Sequence, residues 1–273
     1  MSEISRPKCK VGFWGGPEYS VITLDKLNQA GFPIAFIVTS PDRPKGRNLA
    51  MSSPPAKVWG DEHGIPVFQP ENLKDEDFIN QIRKHACDVF VVMAYGKIIP
   101  EEILNIPKSK SLNIHPSLLP KFRGSCPIES AILNDEKKTG VTIIRMDSEM
   151  DHGPIVAMKE VNTEPWPPTA DELGKILVNE GSDLLVSTLP DWADGKIEER
   201  EQDHSQATYT KKIEKEDGLI NLSDDPYKNY LKIQAYEGWP SAYFFSNDRR
   251  IKITKASLAD GKLHIERVIP EGK

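Results

Sequence analysis

Residues 89–94, Val-Phe-Val-Val-Met-Ala, form an unbroken apolar run between Asp88 and Tyr95-Gly96. A half-buried strand alternates apolar and polar residues, so a run with no polar member predicts a strand covered on both faces. That is the situation of a parallel sheet flanked by helices. The run is far too short to span a bilayer. Around it the pattern predicts further strands over 9–13, 34–39, 110–115 and 139–145. Helical spacing carries Val21, Leu24 and Leu27 towards Gly31, and further helices are predicted over 75–85 and 127–133. The alternation argues for an α/β fold with an open, doubly wound, mostly parallel sheet. Ligands of such sheets bind beyond the carboxyl ends of the strands, where Tyr95 and His115 are expected.

A further helix is marked at Thr169, whose hydroxyl can cap it while Glu172 reaches back in a capping box. Its apolar positions Leu173, Ile176, Leu177, Leu184 and Leu185 recur at core-packing spacing. From Lys196 the texture turns polar and aperiodic, which reads as a linker. Short strand candidates then follow at 242–245, 250–257 and 262–268. The expected division is a main domain over 1–195, a linker over 196–207 and a small β domain over 208–273. The formal charge is -6, but from His204 onwards there are 12 Lys+Arg against 10 Asp+Glu, where the remainder holds 23 against 31. Such a tail permits a polyanionic partner. No apolar signal region precedes the first strand, so a cytoplasmic location is expected.

Cys9, Cys87 and Cys126 show no pairing or metal-ligand spacing; the first two read as small core residues and the third as part of a tight turn. His63, His85, His204 and His264 form no metal constellation, and His152 reads as a bystander. Gly15-Gly16-Pro17 follows the first strand without the glycine spacing of a dinucleotide fingerprint, which argues against a nicotinamide cofactor.

Asn113 and His115 are two apart, so on a strand they share a face, and Pro116 places His115 at the strand end. With a carboxylate delivered by the fold, Asp151 for instance, this trio suits attack on a carbonyl. The imidazole and amide donate to a developing oxyanion, and the carboxylate orients the imidazole and takes a proton. Read alone, a strand-end histidine is also a satisfied surface group, and Asp151 before His152-Gly153 is also a turn residue.

The stretch Asn113-Ile-His115-Pro-Ser-Leu-Leu-Pro-Lys-Phe-Arg-Gly124, with Thr139-Gly-Val-Thr142 and Met150-Asp151-His-Gly153, resembles the catalytic signature of the folate-dependent formyltransferases. Pro41-Asp-Arg-Pro-Lys-Gly-Arg47, Pro66-Val-Phe-Gln-Pro70, Ala94-Tyr-Gly96 and Tyr209-Thr-Lys-Lys-Ile213 narrow the likeness to those members that act on methionyl-tRNA. The resemblance runs along nearly the whole chain. It implies a Rossmann-like catalytic domain followed by an OB-like β domain, here shortened. It also implies transfer of the formyl group of 10-formyltetrahydrofolate, a cosubstrate, to the α-amine of methionyl-initiator tRNA.

Carried over residue by residue, the catalytic positions are Asn113, His115 and Asp151, with Thr142 supporting them. The folate positions are Met93, Ala94, Tyr95, Gly96, Asp147 and Asp151, largely through backbone groups. The tRNA positions are Arg43, Lys45 and Arg47 on a basic loop over 40–53, with Lys211 and Lys212 further on. The bland readings are a rim aromatic for Tyr95 and a solvated linker edge for Lys211, Lys212 and Lys215. A monomer without metal or membrane partner is expected, and the shortened tail implies salt-sensitive tRNA binding. Alternatives are formylation of a nucleotide-linked amino sugar, a tRNA-binding protein without catalysis, and a folate sensor. The basic loop argues against the first, and the intact trio against the other two.

Overall fold

The structure, a computed structural model, describes residues 9–45 and 50–271. The described chain falls into two compact units. One gathers the chain up to His115 with Val141–Lys159 and Val178–Ser205; the other gathers Pro116–Gly140, Glu160–Leu177 and the chain from Gln206 onwards.

The elements in order are β1 (Val11–Gly15), α1 (Glu18–Gln29), β2 (Ile34–Val38), β3 (Arg43–Lys45), β4 (Ala50–Ser52), α2 (Pro55–Glu62), β5 (Val67–Phe68), α3 (Glu76–Lys84), β6 (Val89–Met93), α4 (Glu101–Leu104), β7 (Ser111–His115), α5 (Pro127–Leu133), β8 (Thr139–Arg145), β9 (Ile155–Val161), α6 (Ala170–Ala193), α7 (Pro226–Ala235), β10 (Tyr243–Ser246), β11 (Arg249–Ala259) and β12 (Lys262–Pro270). The main sheet runs β5-β2-β1-β6-β7-β8-β9. Its first five strands are parallel, and β8 turns antiparallel to β7.

The apolar run on β6 is covered on both faces. Val89, Val91 and Met93 join one buried cluster with Leu24, Leu27, Leu185 and Leu189, while Phe90 and Val92 join another with Phe36, Phe78 and Ile82. Burying such side chains contributes about 1.5–3 kcal/mol each. On β1, Gly12 is required because a Cβ there would meet the rings of Phe36 and Phe90 at 2.6 and 2.7 Å. Asp75 caps α3 by accepting from the N–H groups of Asp77 (2.9 Å) and Phe78 (3.3 Å).

The chain leaves β1 in one direction for β2 and β5, and fills the other side from β6 onwards. The gap between the carboxyl ends of β1 and β6 is therefore the topological switch point, where such sheets bind ligands.

In the second unit a three-stranded antiparallel sheet, β10-β11-β12, packs Ile253 with Ile220, Ile233 and Ala242. Its two-residue turns, Asn247-Asp248 and Asp260-Gly261, have positive φ at both positions, the backbone that matches strand twist. The hairpin of β11 and β12 is thus longer than the sequence suggests.

The structure corrects several expectations. The basic loop over 40–53 carries the hairpin β3–β4, with Arg43 opposite Ser52. The helices α2, α4 and α7 and the strands β5 and β9 are additional; α7 has its sequence signal in Asp225-Pro226, an N-cap that accepts from Lys228 N–H (2.9 Å) ahead of a first-turn proline. On α6 the capping box forms, with Thr169 N–H donating to Glu172 (2.9 Å), but Ile176 is solvent-exposed rather than core. Among the described residues no helix is long and apolar enough to cross a membrane.

Candidate active site

The strand β7 pairs with β8 so that Asn113 lies opposite Ile144 and His115 opposite Thr142. His115 and Thr142 are buried, at 3% and 0% exposure. The strand ends at His115, as Pro116 requires.

Asp151 reaches the same place from the turn between β8 and β9. That turn is tightly specified. Asp151 takes φ +50°, a left-handed conformation that aspartate tolerates better than most residues. Gly153 sits where any Cβ would overlap the Arg145 carbonyl. Asp147 accepts from Glu149 N–H (2.9 Å), and its other oxygen lies 2.8 Å from His152 Nδ1. The His152 ring stacks on His204 at 4.2 Å, which builds it into the turn.

Asn113 Nδ2 donates to Asp151 Oδ1 at 3.3 Å, and His115 Nδ1 lies 3.5 Å from Asp151 Oδ2. The carboxylate side chain is 14% exposed, the imidazole 4%. An amide, an imidazole and a carboxylate thus converge within one unit, with Thr142 in register beside them. Such a group can hold a polarised carbonyl oxygen and take a proton from a nearby amine.

Met93, Ala94, Tyr95 and Gly96 lie at the switch point. Ser20 Oγ donates to the Met93 carbonyl (2.8 Å) and accepts from Gly16 N–H (2.9 Å), tying the ends of β1 and β6 together. Ala94 and Gly96 take φ of +53° and +78°. Tyr95 is not a rim residue. It is 6% exposed, its ring lies edge-on to Trp14 at 5.2 Å, and burial pushes its hydroxyl up to about 12. Among the described residues, Trp14 Nε1, Thr39 Oγ1 and the Tyr95 hydroxyl are buried without a hydrogen-bond partner, at or just past the carboxyl ends of three adjacent strands. Buried polar groups are ordinarily satisfied, so orphans gathered at a switch point fit a ligand rich in donors and acceptors, as a pterin is. Sequence reasoning missed Ser20; its only signal is its place in the first turn after Gly15-Gly16-Pro17.

On the basic hairpin, Arg43 is exposed and Lys45 lies on β3; Arg47 lies outside the described residues. Asp42 anchors the hairpin's base. It accepts from Lys57 (2.7 Å), Gln69 (2.7 Å) and Ser53 (3.1 Å), and the Lys57 and Gln69 bonds hold its carboxyl below the usual range.

Lys211 and Lys212 line a groove of about 1030 Å³ in the second unit, with Lys121, Glu129, Tyr209 and Tyr236. Burial raises the Glu129 carboxyl. A carboxyl with a folded-state pKa above its unfolded value loses stability as pH rises through that interval. Glu129→Gln is therefore expected to raise the melting midpoint at neutral pH, with the gain fading under acid conditions. An equal gain at all pH values would contradict this account. Among the described residues no cluster of His, Cys, Asp and Glu could hold a metal ion.

Comparison with known proteins gives two family matches, "Formyl transferase" over residues 12–189 and "Formyl transferase, C-terminal domain" over 212–270. The methionyl-tRNA formyltransferase of Chloroflexus aggregans is 46% identical over 253 residues, covering 92% of this chain and 81% of its own. Among solved structures, a methionyl-tRNA formyltransferase from Clostridium thermocellum aligns at TM-score 0.64 and 18% identity, over 96% of this chain and 98% of that one. An N-formyltransferase from Helicobacter canadensis, in complex with folinic acid and dTDP-3-aminofucose, aligns at TM-score 0.67 and 20% identity, over 92% and 88%. At those identities the two structures speak to the fold.

Proposed function

The chain belongs to the formyl transferase family, and from that premise we propose that it moves the formyl group of 10-formyltetrahydrofolate to the α-amine of methionyl-initiator tRNA. The observation that carries the chemistry is the convergence of Asn113, His115 and Asp151. The acceptor rests on the likeness to methionyl-tRNA formyltransferases across nine-tenths of the chain. We take 1–195 as the catalytic region and 208–273 as the tRNA-facing tail of a cytoplasmic monomer.

In this reading the neutral amine attacks the formyl carbon while Asn113 and His115 donate to the oxygen as it becomes negative. Geometry constrains how His115 does so. Its Nδ1 faces the Asp151 carboxylate, and a neutral imidazole carries only one N–H. If that N–H points at Asp151, Nε2 donates to the oxygen only as part of an imidazolium, whose charge Asp151 compensates. Asp151 also takes the proton the amine loses, directly or through water; the tetrahedral adduct then collapses by breaking the bond between the formyl carbon and the donor's N10, which takes up a proton as tetrahydrofolate leaves. Met93, Ala94, Tyr95 and Gly96 at the switch point, with Asp147 and Asp151, would hold the folate, which supplies the activated formyl carbon. Arg43, Lys45 and Arg47 would meet the acceptor end of the tRNA, and Lys211 and Lys212 its phosphate backbone.

The test is transfer of labelled formyl from 10-formyltetrahydrofolate to initiator and elongator methionyl-tRNA, with His115→Ala in parallel. Rapid labelling of the initiator is expected, falling about a hundredfold in the variant as an oxyanion donor is lost. Transfer should weaken with added salt, with a slope shallower by about one for each of Lys211→Ala and Lys212→Ala. Labelling of a sugar-nucleotide amine and not of tRNA would overturn the acceptor assignment.

A further inference from the structure

We propose that Gln202 is a positioning residue for the reaction, holding the Asp151 carboxylate against Asn113 and His115 through the backbone of the turn that carries it. The inference rests on the reading of Asp151 as a catalytic group.

Gln202 lies in the polar stretch after α6, where neither spacing nor composition singles it out, yet it is 5% exposed. Its carboxamide donates to two carbonyl oxygens, that of Asp151 at 2.9 Å and that of Gly153 at 2.7 Å. These peptides flank His152, so one rigid amide fixes the chain on both sides of it. The orientation of the Asp151 backbone, already in the left-handed region, is set by the same contact.

The stretch that carries Gln202 is itself anchored. Arg200 exchanges both backbone hydrogen bonds with Ile155 at the start of β9 (2.7 and 2.9 Å). Glu199 accepts from Arg145 Nε through both oxygens, at 2.8 and 2.9 Å. The support therefore runs from the end of β8 through Glu199 and Gln202 to Asp151, and closes on the trio. His204 extends it by stacking on His152.

The contacts at stake are sensitive to small movements. Asn113 and His115 approach Asp151 at 3.3 and 3.5 Å, at the long end of hydrogen bonding. A further displacement of the carboxylate would lose them, since such interactions weaken steeply with distance and angle. An apolar residue at 202 would leave the buried Gly153 carbonyl and the half-buried Asp151 carbonyl without this donor, and the turn would relax towards other partners. A side chain that merely filled space could be replaced by methionine without consequence for chemistry.

The experiment uses the full chain with Gln202→Met, close in shape but unable to donate, and Gln202→Glu, whose carboxylate faces both carbonyls as an acceptor. Each is made alone and combined with Asp151→Asn, and kcat and KM are measured for donor and acceptor. Folding is checked by circular dichroism and thermal unfolding, and the Glu variant carries the test should the Met variant not fold. The expected result is a fall in kcat towards a hundredfold, the scale set by a misplacement of about 1 Å, with KM for both substrates little changed. In the Asp151→Asn background the same changes at 202 should add almost nothing, because residues acting as one unit are not additive. A folded Gln202 variant with wild-type kcat, or one whose loss multiplies fully with that of Asp151→Asn, overturns the proposal. Wild-type kcat in Asp151→Asn alone would instead overturn the catalytic reading on which it rests.

Discussion

Asp151→Asn is expected to lower kcat by about a hundredfold to ten-thousandfold, the range for loss of a positioned acid–base group, while the protein remains folded. Asparagine nearly matches aspartate in shape, and the backbone contact that holds residue 151 to Gln202 does not involve the carboxylate. The folded structure therefore has little reason to change. The chemistry changes in two ways. The amide has no proton affinity of use to the departing amine proton, and it offers no negative charge to an imidazolium at His115. An amide turned to give its N–H to Nδ1 would also force His115 into the tautomer with its N–H on Nε2, which keeps a neutral donor for the oxygen. The residual rate of Asp151→Asn thus measures what oxyanion donation achieves without a base. Single-turnover transfer from pre-bound donor is the measurement, because it separates chemistry from product release. A variant with undiminished single-turnover rate would remove Asp151 from the mechanism.

The second large effect concerns folding. Gly153→Ala is expected to cost about 3 kcal/mol, the upper part of the overpacking range, because the new methyl would overlap the Arg145 carbonyl oxygen. That oxygen belongs to β8, whose backbone is held by pairing to β7, so the obstacle cannot swing away as a side-chain tip would. For a chain of this size the corresponding drop in melting midpoint is about 6–12 °C. Activity should fall as well, since relief of the overlap has to move the turn that presents Asp151. Thermal unfolding followed by circular dichroism, with kcat measured well below the midpoint, tests both parts. A midpoint within the error of the wild type would show that the turn has room the backbone geometry denies it.

Much of this was legible before any coordinates. The sheet follows from Val89–Met93 and its neighbours because burial on two faces writes itself into composition as the absence of polar residues. The capping box at Thr169 and Glu172 was readable because both partners lie within one helical turn. The trio was readable as chemistry, but the partnership of Asp151 with a histidine 36 residues earlier came from family likeness and not from spacing.

What escaped shares a physical character. The hairpin β3–β4 has proline, arginine and lysine on its first strand, so it shows no apolar alternation; its base is held by Asp42, Lys57 and Gln69, which are far apart in sequence. Gln202 was hidden for the same reason, since a carboxamide becomes a buried residue only when carbonyls from another segment arrive to use it. The rim reading that stands beside the folate position of Tyr95 fails because its burial depends on Trp14, contributed by a different strand. Ile176 erred the other way: its spacing matches the apolar face of α6, yet at that point the helix leaves it in water.

All three members of the trio come from a single compact unit. In evolutionary terms this separates inheritance of a reaction from inheritance of a customer. On the proposed assignment the C-terminal sheet, which belongs to the other unit, can drift, lengthen or shrink while formyl transfer survives, so a lineage can trial new amines without passing through an inert ancestor. On the same assignment the turn over 146–153 has less latitude, because a change there slows the reaction for every acceptor at once. Sequence divergence among descendants should therefore be uneven, with the tail recording ecological history and the turn recording almost none.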